Sequence, residues 1–238
     1  MLKKDETLDG LETDNINNLK VLKRFQLQSS EINIEPIILE ILPHYFTWPS
    51  AMVMSAFIVS RDELFRGKKI LEIGGGTGLV SVVASTFASD VYATERHDER
   101  MAIETLEINM KINCIDNCFV KPLSWAGAEI DDHLLNFGFD VIIGSDVFYS
   151  SEDFDPILNL VNKFMEKCSA REKQLVFYST YQERSSHRTI APYLHKFDMK
   201  AEVIPLESFL HYAHLQSGIC PLAKSTQSSG NASLTTFY

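Results

Sequence analysis

The sequence contains no apolar run approaching the roughly 20 residues that a membrane-spanning helix requires, so no membrane association is expected. Its first residues, Met1-Leu2-Lys3-Lys4-Asp5-Glu6, lack the apolar stretch of a secretory signal. Cysteine is scarce, with 4 in 238 residues, and no two form a C-x-x-C pair. Cys114, Cys118, Cys168 and Cys220 are therefore read as reduced thiols of a nuclear and cytoplasmic protein. The sequon Asn231-Ala232-Ser233 is expected to be inert, because glycosylation needs the secretory route. His211, His214 and Cys220 fit no zinc spacing, and no metal is expected. Basic charge is also short: 22 Lys and Arg stand against 32 Asp and Glu, a net charge of −10. A chain of that sign neutralises few phosphates, so direct nucleic-acid binding is not expected and a basic partner suits it better.

What is present is patterned as an α/β protein. Residues 1–18 are polar, rich in Asp and Asn, and read as a mobile N-terminal tail. Arg24–Gln28 and Ile32–Ile34 alternate apolar with polar residues, as half-buried strands do. Trp48-Pro49 opens a helix through about Val59, with proline in the first turn. Strands are then predicted at 69–73, 90–94, 118–120, 139–144, 174–179 and 200–204. Helical runs fall between them: Leu79–Phe87, a stretch capped by Asp98 with Ile103, Leu106 and Met110 on one face, Phe154–Met165, and Ile190–Phe197. This alternation implies parallel βαβ units and a doubly wound sheet with helices on both faces. One domain is expected over 19–210, followed by a Ser/Thr-rich segment, 211–238, in which Ser233–Tyr238 offers a last short strand.

The chemistry gathers after the strand at 69–73. In Glu72-Ile73-Gly74-Gly75-Gly76-Thr77-Gly78-Leu79, glycines at 74, 76 and 78 let the backbone approach a ligand at the carboxyl edge of the sheet. A nicotinamide-dinucleotide fingerprint starting at Gly74 needs glycine at position 79, where leucine stands. Glu95 follows the next strand about 20 residues on, where a carboxylate accepts hydrogen bonds from ribose hydroxyls.

Together, Glu72-x-Gly74-x-Gly76-x-Gly78 and Glu95 resemble the seven-strand, class I S-adenosylmethionine-dependent methyltransferases. Thr47-Trp48-Pro49, Leu123-Ser124-Trp125 and Ser145-Asp146-Val147-Phe148-Tyr149 resemble the family-16 protein methyltransferase branch. The resemblance covers about residues 24–210 and implies a mainly parallel seven-strand sheet and S-adenosyl-L-methionine as cofactor. It implies that Gly74, Gly75 and Gly76 pass under the methionine part of the cofactor, with Glu72 and Gly78 in the same motif. Glu95 then holds the ribose, Trp125 lies beside the adenine, Trp48 closes the methionine end, and Ser145 contributes its backbone.

Asp146 and Tyr149 face the methyl-transfer site in that motif, with Glu152 and then Asp153 behind Asp146 as carboxylate candidates. The alternative for Glu152 and Asp153 is a helix cap beside the positive end of the dipole, and for Asp153 that reading is preferred. Ser179-Thr180-Tyr181-Gln182 and Ile204-Pro205-Leu206 resemble an arginine-directed group within the branch, which implies a basic protein such as a histone H3 tail as substrate. A guanidinium stays protonated in water, so carboxylates must orient it and take its proton as the new bond forms. A lysine acceptor fits Asp146-x-x-Tyr149 equally, and a non-catalytic scaffold of the same fold is the alternative from another class.

Overall fold

The computed structural model describes residues 21–28, 37–41, 46–125, 130–182, 189–209, 214–217 and 232–237. The strands are β1 (Val21–Gln28), β2 (Ile37–Ile41), β3 (Lys69–Ile73), β4 (Asp90–Glu95), β5 (Cys118–Pro122), β6 (Val141–Ser145), β7 (Val176–Gln182), β8 (Ala201–Ile204), β9 (His214–Ser217) and β10 (Ala232–Phe237). The helices are α1 (Pro49–Ser60), α2 (Leu79–Ser85), α3 (Arg100–Ile112), α4 (Asp132–Asn136), α5 (Ser151–Ser169) and α6 (Ala191–Lys196). The tail at 1–18, the strand expected at Ile32–Ile34 and the sequon's Asn231 lie outside the described residues.

Seven strands form the central sheet in the order β5-β4-β3-β6-β7-β10-β8. β3 to β7 are mutually parallel, and β10 runs antiparallel to both neighbours. Strand residues alternate between faces. Ile70 and Val91 accordingly pack with α1, α2 and Met110 of α3, whereas Leu71, Ile73 and Tyr92 pack with α4, α5 and Tyr193 of α6. A second, three-stranded antiparallel sheet, β2-β1-β9, joins the first face through Phe25 and Ile37. No helix among the described residues is long and apolar enough to cross a membrane.

The last short strand offered at Ser233–Tyr238 is present as β10, which fills the place between β7 and β8 with Leu234 and Thr235 buried, while β9 pairs with β1. Two readings need correction. Asp98 does not cap α3, because the N-cap is Glu99 and the Asp98 carboxylate instead binds the Arg96 guanidinium at 3.1 and 2.7 Å. The buried face of α3 carries Ala102, Thr105, Leu106, Asn109 and Met110, leaving Ile103 only half-buried. The short helix α4 was not anticipated. It is started by Asp131, whose side chain accepts from the Leu134 amide at 3.0 Å.

Candidate active site

A cavity of about 540 Å³ opens at the carboxyl ends of β3, β4 and β6, lined by Gly74, Glu95 and Ser145 as each strand ends. Open α/β sheets place ligands at this edge, where strand order reverses. Here the reversal lies between β3 and β6.

The loop after β3 is held from several sides. The Gly75 amide donates to the Thr94 carbonyl at 2.9 Å, and the Gly78 amide to that of Gly75 at 2.8 Å. The Asn109 side-chain amide donates to the Thr77 carbonyl at 2.8 Å, and the hydroxyls of Thr47 and Thr77 are 3.0 Å apart. Gly76 sits at φ +54° with nothing within 4 Å of where a Cβ would stand. It lines the cavity beside Gly74, where a Cβ would come 3.2 Å from Val147 Cγ1. Gly78, at φ +84°, serves packing: a Cβ there would stand 3.0 Å from Leu106 and Met110 of α3. Gly75 likewise abuts Leu106, so neither glycine is part of the cavity lining.

Glu95 is the buried acid of the cavity wall. Its Oε2 accepts from the Gly76 amide at 3.1 Å and its Oε1 from the Arg96 amide at 3.0 Å. Burial raises its pKa despite these bonds, so further hydroxyl donors would stabilise the charged form. Each carboxylate oxygen retains capacity for a second donor.

Glu72 stands elsewhere than the motif implied. Alternation along β3 turns it away from the face of Leu71 and Ile73, onto the side of α2, where it is fully buried. Ser81 of α2 donates to its Oε2, and its Oε1 has no hydrogen-bond partner among the described residues. Burial pushes its pKa up to about 8. Glu72 therefore underpins the loop and does not line the cavity.

The remaining candidates divide clearly. Trp125 is a buried wall, while Trp48 lies at the rim, 59% exposed, with its ring edge against Phe46 at 6.4 Å between centroids. Asp146, at φ +59°, and Tyr149 both line the cavity. Burial and then the charge of Asp153 raise the Tyr149 pKa. Glu152 is exposed on the first turn of α5 and outside the lining. Asp153 does not cap that helix, since its carboxylate accepts from the Trp125 indole N–H at 3.1 Å. Phe46, Arg96 and Glu99 line the cavity without having been singled out. Adjacency to Glu95 was the available signal for Arg96. Among the described residues no group of three or more His, Cys, Asp or Glu is arranged to hold a metal.

The residues at the site fit S-adenosylmethionine: an uncluttered backbone at Gly76, a buried acid beside it and the aromatic wall of Trp125. Comparison with known proteins agrees. Residues 43–197 match the family model described as lysine methyltransferase. The chain is 31% identical to histone-arginine methyltransferase METTL23 of Mus musculus, covering 73% of this chain and 67% of that one. For the same enzyme of Homo sapiens the identity is 32%, over 69% and 84%. It is 32% identical to EEF1A lysine methyltransferase 3 of Mus musculus, over 47% and 46%. Among solved structures, precorrin-6y C5,15-methyltransferase of Geobacter metallireducens superposes with a TM-score of 0.52 at 15% identity, covering 84% and 92%. That likeness establishes the class I methyltransferase fold.

Proposed function

The chain belongs to the lysine methyltransferase family, and from that premise we propose a protein methyltransferase that modifies arginine in a basic protein such as a histone H3 tail. Its cofactor is S-adenosylmethionine, which supplies a methyl group from a sulfonium centre. The observation that carries the catalytic reading is one cavity joining the backbone at Gly74 and Gly76 and Glu95 to Asp146 and Tyr149. Binding and acceptor groups thus share a wall, which suits in-line transfer governed by positioning, a contribution of ~7–11 kcal/mol.

The proposed roles are these. Glu95 accepts the ribose hydroxyls, and Trp125 offers its ring to the adenine. The backbone at Gly74 and Gly76 leaves room for the methionine part, with Ser145 beside it. Asp146 orients the acceptor nitrogen and takes up its proton, and Tyr149 helps align it from the rim. Phe46 and Trp48, 63% and 59% exposed, give a polypeptide an aromatic surface at the same opening. Aromatic faces attract cations, and the net charge of −10 favours a basic chain.

Arginine is supported by the longer match to histone-arginine enzymes, 69–73% of this chain against 47% for the lysine enzyme. The description of the family model supports lysine as the second reading. Mass spectrometry of paired peptides, identical but for Arg or Lys at the acceptor, decides between them. Methylation of the Arg peptide alone supports the proposal, since planar two-pronged recognition does not transfer to an ammonium. Methylation of the Lys peptide alone overturns it. A histone acceptor would place the enzyme in the nucleus as well as the cytoplasm.

A further inference from the structure

Two segments distant in the chain meet at the cavity's aromatic wall. Trp125 follows β5, and Asp153 stands in the first turn of α5. The indole Nε1–H of Trp125 donates to Asp153 Oδ1 at 3.1 Å. Over the face of the ring lies Arg96, whose guanidinium carbon is 6.0 Å from the ring centroid and whose nitrogens are held by Asp98. A buried indole N–H requires an acceptor, and Asp153 provides it from another element. The carboxylate is not engaged as a helix cap: the N-cap is Ser150, and the Asp153 amide donates to the Ser150 carbonyl at 3.1 Å. Its charge is also felt at Tyr149 on the acceptor side of the cavity.

We infer that Asp153 is a positioning residue for cofactor binding, its carboxylate fixing the Trp125 ring at the angle at which the ring forms the adenine-facing wall. The inference rests on the cofactor reading above. It assigns to the helix that follows Asp146 and Tyr149 a direct hold on the Trp125 wall of the cavity. Asp153 touches neither the transferred methyl nor the acceptor in this role. Its loss therefore raises the KM for S-adenosylmethionine with little change in kcat.

The test uses the full chain and S-adenosylhomocysteine, the demethylated cofactor, as the calorimetric probe. Wild type that binds none of it overturns the cofactor reading itself and is thereby distinguished from failure of the inference. Given wild-type binding, Asp153→Leu should weaken it on the order of tenfold, the scale of a lost hydrogen bond to a charged group. Asp153→Asn keeps an acceptor oxygen and should stay within about twofold, because one neutral acceptor replaces the charged one. The Trp125 indole signal in a nitrogen–proton NMR spectrum, assigned with Trp125→Phe, should shift in the Leu variant and persist in the Asn variant. In a Trp125→Phe background, Asp153→Leu should have no further effect. Equal weakening by Asn and Leu would mean that only charge at the helix end matters, and would overturn the inference. A full Leu effect in the Phe background would overturn it too. Should Asp153→Leu not fold, Asp153→Ser, too short to reach the indole, takes its place in each comparison.

Discussion

The Asp146 amide donates to the Thr180 carbonyl at 3.0 Å, carrying the β6–β7 ladder one residue past its last pair, Ser145 with Thr180. The Thr180 hydroxyl donates in turn to the Ser50 carbonyl of α1 at 3.3 Å. Asp146 is thus held at φ +59° by β7, which α1 fixes in turn. Asparagine tolerates the left-handed region as aspartate does. Asp146→Asn should therefore leave the backbone and S-adenosylhomocysteine affinity intact while lowering kcat by ~100-fold or more, the scale of a lost general base. Calorimetry and single-turnover rates on one preparation check both halves, and unchanged turnover would remove Asp146 from the mechanism.

The open space beside Gly76 gives a second expectation. Gly76→Arg should abolish S-adenosylhomocysteine binding, because a long side chain would start from the cavity wall. The fold should survive, since a Cβ there meets nothing within 4 Å and the backbone penalty at φ +54° is about 1–2 kcal/mol. A melting curve beside the titration separates lost binding from lost structure.

Glu72 should make stability depend on pH. Its folded pKa, raised by burial to about 8 from an ordinary 4.5, means that the folded state keeps a proton the unfolded chain releases. Its share of stability is present in full below about pH 4.5 and declines as pH rises through about 8. Glu72→Gln keeps the shape without the titration. Urea midpoints for the variant should fall less between pH 5 and 8 than those of wild type; parallel slopes would refute the assignment.

Ending the chain at residue 231 should destroy the fold. The truncation removes β10 from between β7 and β8, strips β8 of its ladder partner and β7 of one of its two, and uncovers the core beneath fully buried Leu234. The loss is on the order of the whole folding free energy of a domain, about 5–15 kcal/mol. Circular dichroism and proteolysis of the truncated chain test it. A cooperative melt near the wild-type temperature would show the strand to be dispensable.

Leu234→Ala is the milder version. A fully buried leucine truncated to alanine costs about 2–5 kcal/mol, so a lower denaturation midpoint with an unchanged cofactor titration is expected. Weakened binding at full stability would instead link β10 to the cavity.

Much of this was legible because it is local. Glycine at 74, 76 and 78, with leucine at 79 and an acid at 95, declares a strand, a ligand-approaching turn and a second strand end within some 25 residues. The period of apolar residues marks α5 and its buried face, and Trp48-Pro49 marks the start of α1. Asp98 misled for the same reason: an acid just before a helix has the composition of a cap, but an arginine two residues away outcompeted the helix amides for it.

What the sequence by itself determined is therefore the set of elements around the cavity and the residue types at their ends, since propensity, turn chemistry and periodicity act over a few neighbouring residues. Only the tertiary structure decided that Glu72 lies beneath the loop, that Asp153 answers the Trp125 indole, and that the last strand enters the sheet ahead of β8. Each of these depends on a partner 9 or more residues away in the chain. For such pairs, burial and the need to satisfy hydrogen bonds choose among contacts that local sequence leaves equivalent.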